Sequence, residues 1–240
     1  MITPAALYAA IDGTWPAAGV RSVGPWLLRD GQGGGKRVSA ATAISETRAE
    51  DIPAAEQAMR QLGQRPLFLI RDQDAALDAD LAARGYQTVD PVNGYILPVE
   101  DLTDVPIPRV TAFTIWEPLA IMAEIWAKGG VGPERLKVME RAKVKTGILA
   151  RWNEKPAGTA FAAIHDGIAM VHAVEVLPHQ RRQGVASWIM RRAAFWAQEN
   201  GAETLAVLCT QQNTAANLLY QRLGFRKLCG YHYRQHPEDT

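Results

Sequence analysis

The sequence predicts an α/β protein in the α+β sense: a mixed, mostly antiparallel central sheet flanked by helices. Three observations predict it. Residues 147–178, "GILARWNEKPAGTAFAAIHDGIAMVHAVEVLP", read as a three-strand meander. A basic glycine loop, "HQRRQGVASW" at 179–188, runs straight into a stretch with helical periodicity. The order strand–helix–glycine–aromatic–strand occurs twice, at 65–87 and at 204–226.

Each element follows from local chemistry. Asn153–Lys155 supplies the first turn of the meander, and Asp166–Gly167 between apolar runs supplies a hairpin turn. Strands are expected near 147–152, 157–164 and 168–176, with Pro178 ending the third. Val185, Trp188, Ile189, Ala193 and Trp196 recur at helical spacing, and Asn200–Gly201 provides the stop. Residues 204–209 read as a buried strand, 213–225 as a short helix ending at Gly224, and 226–234 as a last strand. The segment 113–143 reads as helical on both sides of "KGGVGP", with Trp116, Leu119, Ala123 and Trp126 on one face. Pro133 suits the first turn of the second helix. Residues 26–44 read as a hairpin turning at "GQGGGK", with no helix directly behind it to hold a phosphate.

"RPLFLIRDQDAALDADLAARGYQ" (65–87) lies over "TLAVLCTQQNTAANLLYQRLGFR" (204–226) without a gap. An internal duplication is the reading. It divides the chain into a first half at 1–100, a proline-containing linker at 101–112, and a second half at 113–240.

Composition narrows the function classes. The 240 residues are 48% hydrophobic and 21% charged, enough for a packed core. With 26 Lys+Arg against 25 Asp+Glu the net charge is +1, which argues against a nucleic-acid binder working through Arg181, Arg182, Arg191 and Arg192. Cys209 and Cys229 form no CxxC pair, so no metal site is expected. "MITPAALYAAIDGTW" lacks a basic leader and no apolar run reaches the ~18 residues of a membrane span. A cytoplasmic protein, monomer or homodimer, without membrane partners is the expectation.

The chemistry concentrates in the basic loop. A helix N-terminus carries unpaired amides and about half a positive charge, Gly184 permits close backbone approach, and Arg181 and Arg182 add full charges. These features describe a pyrophosphate site.

"RRQGVA" (181–186) resembles the R/Q-x-x-G-x-G/A motif of the GNAT superfamily of acyl-CoA-dependent N-acetyltransferases, with "VEVLP" before it and "N…AANLLYQRLGF" after it. The resemblance covers roughly 113–234. It implies a tandem GNAT-like acyltransferase fold whose first half, lacking the loop, is degenerate and binds no coenzyme A. It implies acetyl-CoA held by the amides of Arg181, Arg182, Gln183, Gly184, Val185, Ala186 and Ser187. The backbone near Val174 and Val176 would pair with the pantetheine arm, and Asn213 and Asn217 would lie beside it. The implied reaction is acetyl transfer to a primary amine, on a small molecule or peptide, directly within a ternary complex. The alternative is a non-catalytic acyl-CoA sensor or scaffold of the same fold.

An alkyl ammonium with a pKa near ~10.4 must lose about 4 kcal/mol worth of proton affinity at neutral pH, which calls for a base or a desolvating pocket. Tyr220 matches the family's acid, and Leu81 stands at its place in the first half. Many members carry a carboxylate where Met170 stands, so the base is open between His172, Glu175 and a water chain. Simple alternation puts Met170, His172, Val174 and Val176 on one face and Glu175 on the other, unless a strand bulge re-aims it. Trp116, Trp126 and Trp152 are aromatic candidates for the acceptor cleft, with core packing as the competing role; Tyr231, sharing a face with Tyr233, is a candidate rim.

Overall fold

A computed structural model describes residues 1–239. The chain forms two compact units, each assembled from several segments. The first contains Met1–Pro16, Gly94–Cys209 and Thr214–Leu228; the second contains Ala17–Asn93, Thr210–Asn213 and Cys229–Thr240. The units do not follow the expected division at 1–100 and 113–240. Two strands each run from one unit into the other: β5 (Gln87–Pro98) and β11 (Arg226–Gln235).

The first unit begins with α1 (Pro4–Thr14), started by Thr3, whose hydroxyl accepts from the Ala6 amide at 3.2 Å. Its sheet contains β6 (Ala112–Ile115), β7 (Val144–Trp152), β8 (Lys155–His165), β9 (Ile168–Val176), β10 (Thr204–Thr210) and the end of β5, in the order β5-β10-β9-β8-β7-β6. The expected meander is present: β7–β8 and β8–β9 are antiparallel, as is β6–β7, whereas β9–β10 is parallel. The sheet is therefore mixed.

One face of this sheet packs on α6 (Val185–Glu199), where Val185, Ile189, Met190, Ala193 and Ala197 meet Ile148, Ala160, Ala162, Ala169 and Val171 in one core. The small residues let the helix lie close. A Cβ added at Gly158 would stand 3.2 Å from both Ile189 and Val185. Burying each large side chain contributes about 1.5–3 kcal/mol. The start of the expected linker also packs here: Leu102, like Val99 just before it, is buried against the same core, and Arg191 ties the Leu102 carbonyl and the Asp104 carboxylate. Arg192 pairs with Glu199 at 2.9 Å. The α6 arginines are thus committed within the chain rather than presented as a basic stripe.

The segment 113–143 differs from expectation at its start. Residues 112–115 form β6, because Thr114 and Ile115 pair with Ile148 and Gly147 and β-branched side chains suit a strand. Pro118 follows, and the helix α4 runs only over Ala120–Lys128. Trp116 therefore lies outside it, and Leu119 is an exposed cap. The second helix, α5 (Pro133–Arg141), starts at Pro133 as expected.

The second unit holds β1 (Gly19–Val23), β2 (Trp26–Asp30), β3 (Thr42–Ala43), α2 (Ile52–Gln61), β4 (Leu67–Arg71) and α3 (Ala75–Ala83). The β2–β3 hairpin carries the "GQGGGK" segment, in which Gly33 and Gly35 take φ of 78° and 98°. Lys36 there pairs with Asp90 at 2.7 Å. Trp26, Leu28, Ile52, Met59, Phe68, Ile70 and Leu81 make its core.

The recurring order has matching geometry in each unit. α3 and α7 (Thr214–Arg222) are both nine residues long. Gly85 has φ 87° and Gly224 φ 89°. Tyr86 N–H returns to the Leu81 carbonyl at 3.1 Å, and Phe225 N–H to that of Tyr220 at 3.0 Å. The following strands are exchanged. β5 ends beside β10 in the first unit, and β11 pairs antiparallel with β4 in the second.

In the second unit Arg234 grips Asp78 with both arms, at 2.7 and 2.9 Å, and His232 Nε2 lies 2.7 Å from the same carboxylate. The Arg234 hydrogen bonds hold the Asp78 carboxyl below its ordinary pKa. A depressed carboxylate stabilises above its unfolded pKa of about 3.9 and loses that contribution as pH falls through the lower folded value. Asp78→Asn should cost about 1–3 kcal/mol near neutral pH, discounted for partial exposure, and flatten the acid limb of stability. Thermal melts from pH 7 to 3 check this; an unchanged limb would contradict it.

Candidate active site

The basic loop stands where the sequence places it, between β9 and α6. A short 3-10 turn, Pro178–Gln180, closes with Gln180 N–H on the Leu177 carbonyl at 2.8 Å. Arg181 departs from expectation. Its amide turns back toward the Pro178 carbonyl at 3.4 Å, and its Nε–H donates to the Val176 carbonyl at 3.1 Å. Arg182 and Gly184 then take left-handed conformations, with φ 64° and 78°. Successive turns of this kind point amides into one concavity. The amides of Arg182, Gln183, Gly184, Val185, Ala186 and Ser187 donate to no other described residue. A Cβ built on Gly184 would meet only Trp188 Nε1, at 3.9 Å, so the space above the loop is open. Six unpartnered donors at the N-terminus of a fifteen-residue helix fit a pyrophosphate.

Beside the loop, β9 separates from β10. They pair from Thr204↔Ile168 to Val207↔Val171, and among the described residues no pairing continues beyond. The edge of β9 over 172–176 therefore faces a gap that an extended chain can enter by backbone hydrogen bonding.

The bulge anticipated in β9 is real and overturns the simple alternation. Phe161 pairs with His172 and Thr159 with Glu175, so three steps on β9 match two on β8. Ala173 takes φ 49° to absorb the extra residue. Val174 and Val176 consequently pack with Ala169 and Val171 toward α6, and Glu175 joins the face of His172. The Glu175 carboxyl is half-buried and makes no ion pair with a described residue. Desolvation raises its pKa, against lowering by Arg181 and Arg135.

His172 occupies the core. It is 4% exposed, its ring lies 5.1 Å from Trp15, and its Nε2 is 2.9 Å from Thr14 Oγ1. That hydroxyl donates to the Ala10 carbonyl at 2.6 Å, so it accepts from His172, whose Nε2 carries the proton. That nitrogen is thereby committed within the core.

Tyr220 lies in α7, its ring packed on Tyr95 and Phe225 at centroid distances of 6.0 and 5.7 Å. Its hydroxyl bonds to no other described residue. Burial, reinforced by Cys209, raises its pKa well above 10, so the phenol keeps its proton at neutral pH. Asn217 on the same helix accepts from Tyr95 Oη at 2.8 Å. Burial pushes the Cys209 thiol up to about 11, which disfavours its thiolate.

The aromatic candidates separate. Trp126 is fully buried and its Nε1–H donates to the Ala173 carbonyl at 2.8 Å, at the bulge. Trp116 is partly exposed, 5.8 Å from Phe161, and already carries Lys145 Nζ 5.0 Å above its ring. Trp152 packs against the core. Tyr231 and Asn213 fall in the second unit; Tyr231 is buried and meets Tyr233 edge-on at 5.5 Å. Sequence reasoning missed the contact between Trp126 and the bulge. The signal was its spacing of three from Gly129, which puts both at one end of a helix.

Residues 116–225 match the family model described as "Acetyltransferase (GNAT) family". A relative, the uncharacterized N-acetyltransferase YobR of Bacillus subtilis (strain 168), is 27% identical over 232 residues, covering 92% of this chain and 94% of its own. A solved GCN5-related N-acetyltransferase from Kribbella flavida has a TM-score of 0.71 at 19% identity, covering 99% of this chain and 97% of that one. A tandem GNAT protein from the clavulanic acid biosynthesis pathway has a TM-score of 0.57 at 14% identity, with 81% and 71% covered. Residues 116–225 are thus similar to the acetyltransferase (GNAT) family, and the chain has the mixed α/β fold of the solved N-acetyltransferases. Among the described residues no helix is long and apolar enough to cross a membrane, and no cluster of metal-binding side chains occurs.

Proposed function

We propose that this chain transfers an acetyl group from acetyl-CoA to a primary amine of a small molecule or peptide, by direct transfer in a ternary complex. The observation that carries the reading is the run of six unpartnered amides, Arg182 to Ser187, at the end of a strand that parts from its neighbour. Acetyl-CoA supplies an acyl group activated as a thioester. Gly184 and its neighbours would hold the pyrophosphate, and the β9 edge near Val174 and Val176 the pantetheine arm.

Glu175 is the proposed base. Desolvation raises its proton affinity, which narrows the gap to an alkyl ammonium, and it faces the opposite way from the α6 core. Tyr220 is the proposed acid, keeping a phenolic proton available for a departing thiolate. With Cys209 held protonated, direct transfer is favoured over an acyl-cysteine route. Tyr220→Phe should lower kcat about 10–100-fold while leaving acetyl-CoA affinity and melting temperature nearly unchanged, since the ring contacts persist. Unchanged turnover would remove the assignment.

The matched turns at Gly85 and Gly224 support an origin of residues 1–100 by duplication, as a half that binds no coenzyme A. Leu81 there is buried where Tyr220 stands in the other half. A cytoplasmic location, as monomer or homodimer, is part of the same reading.

The test is calorimetry with acetyl-CoA, followed by thiol release with a panel of amines, amino acids and peptides. Absence of binding sinks the reading. Binding without turnover on any amine favours a sensor or scaffold, the alternative that Met170 at the family's carboxylate position suggests.

A further inference from the structure

We propose that Trp126 is a positioning residue for Glu175: it pins the β9 bulge that turns the carboxylate to the His172 face, while Gly129 at the same helix end leaves the carboxylate its place. The inference rests on the proposed role of Glu175 as base.

Two independent contacts from one end of α4 reach this part of β9. The Trp126 indole is fully buried and its single donor goes to the carbonyl of Ala173, 2.8 Å away. Ala173 is the residue at φ 49°, a conformation that costs an L-residue energy and persists where surroundings over-determine it. Without that bond the carbonyl loses its buried partner and the extra residue loses its anchor. An unbulged strand would return Glu175 to the α6 face.

Gly129 caps α4, with its amide bonded to the carbonyls of Ile125 and Trp126. Its φ of −85° suits any residue, so glycine is required there by space rather than conformation. A Cβ at Gly129 would stand 2.2 Å from the Glu175 carboxyl carbon and 2.5 and 2.6 Å from its oxygens. The carboxylate therefore lies directly against the helix end. Arg135 bonds the next carbonyl, that of Gly130, at 3.3 Å and lowers the Glu175 pKa from the same side.

The experiment compares Trp126→Phe, Gly129→Ala and the double variant Trp126→Phe/Ala173→Gly with the native chain. Glycine accepts positive φ without strain, so it should restore the bulge in the double variant. Two readouts are needed: carbon-13 NMR titration of the Glu175 carboxyl, and the pH profile of kcat/KM. In Trp126→Phe the carboxyl, returned toward the apolar α6 face, should titrate higher than in the native chain, and the acidic limb should move up with it. kcat should fall at least tenfold, with acetyl-CoA affinity within threefold of native. Gly129→Ala should also shift the titration, and the double variant should recover most of both changes. An unshifted Glu175 titration in both folded single variants overturns the proposal. If Trp126→Phe fails to fold, Gly129→Ala and Ala173→Gly decide through the same titration. A shifted titration with an inert Glu175→Gln would uphold the positioning and remove the base.

Discussion

Gly184→Asp should abolish measurable acetyl-CoA binding, weakening it at least ~100-fold, or about 2.7 kcal/mol, while the chain stays folded. Two effects combine. A carboxylate enters the concavity of amides proposed to take the pyrophosphate, and a Cβ appears where φ is 78° and nothing nearer than 3.9 Å now stands. The cost to folding is small, about 1 kcal/mol, because the added side chain points to open space and aspartate tolerates this backbone region better than most residues. Gly184→Asn separates charge from shape: it tolerates the same φ without the anion, and should bind far better than the aspartate variant. Calorimetry with acetyl-CoA, alongside thermal melts, checks both. Affinity retained in Gly184→Asp would refute the loop assignment and with it the donor.

Glu175→Gln should lower kcat about 100–1000-fold at neutral pH with little change in acetyl-CoA affinity. The pH dependence carries the sign. A base works deprotonated, so native activity should fall as pH drops through the Glu175 pKa, which desolvation raises. That acidic limb should vanish in the variant. His172→Phe, by contrast, should act on stability through Thr14 and Trp15 and leave the limb in place. A persistent limb in Glu175→Gln would move the base elsewhere, with bound water the next candidate.

Much of this site was legible because its signals are local. Asp166–Gly167, Asn200–Gly201 and Gly224 mark turns by backbone chemistry, and Val185, Ile189 and Ala193 mark a helix face by spacing. The loop "RRQGVA" announced its left-handed glycine and its helix N-terminus together. Strand periodicity failed at one place, Ala173, where one inserted residue reverses every side chain after it. Alanine in an apolar strand carries no mark of that insertion. The helical reading of Trp116 failed similarly, since 112–115 takes its form from pairing with β7, a partner more than thirty residues away.

Local chemistry in the chain settled where the strands and helices turn, that free amides gather at the start of α6, and that position 184 suits glycine. Long-range packing settled which way Glu175 points, that His172 lies in the core, that Trp126 bonds to the bulge, and which strand completes each compact unit. The difference is physical. A turn or a cap is decided by a few consecutive residues through their own dihedrals. A bulge, a buried tautomer or an exchanged strand is decided by what arrives from elsewhere in the sequence to satisfy it.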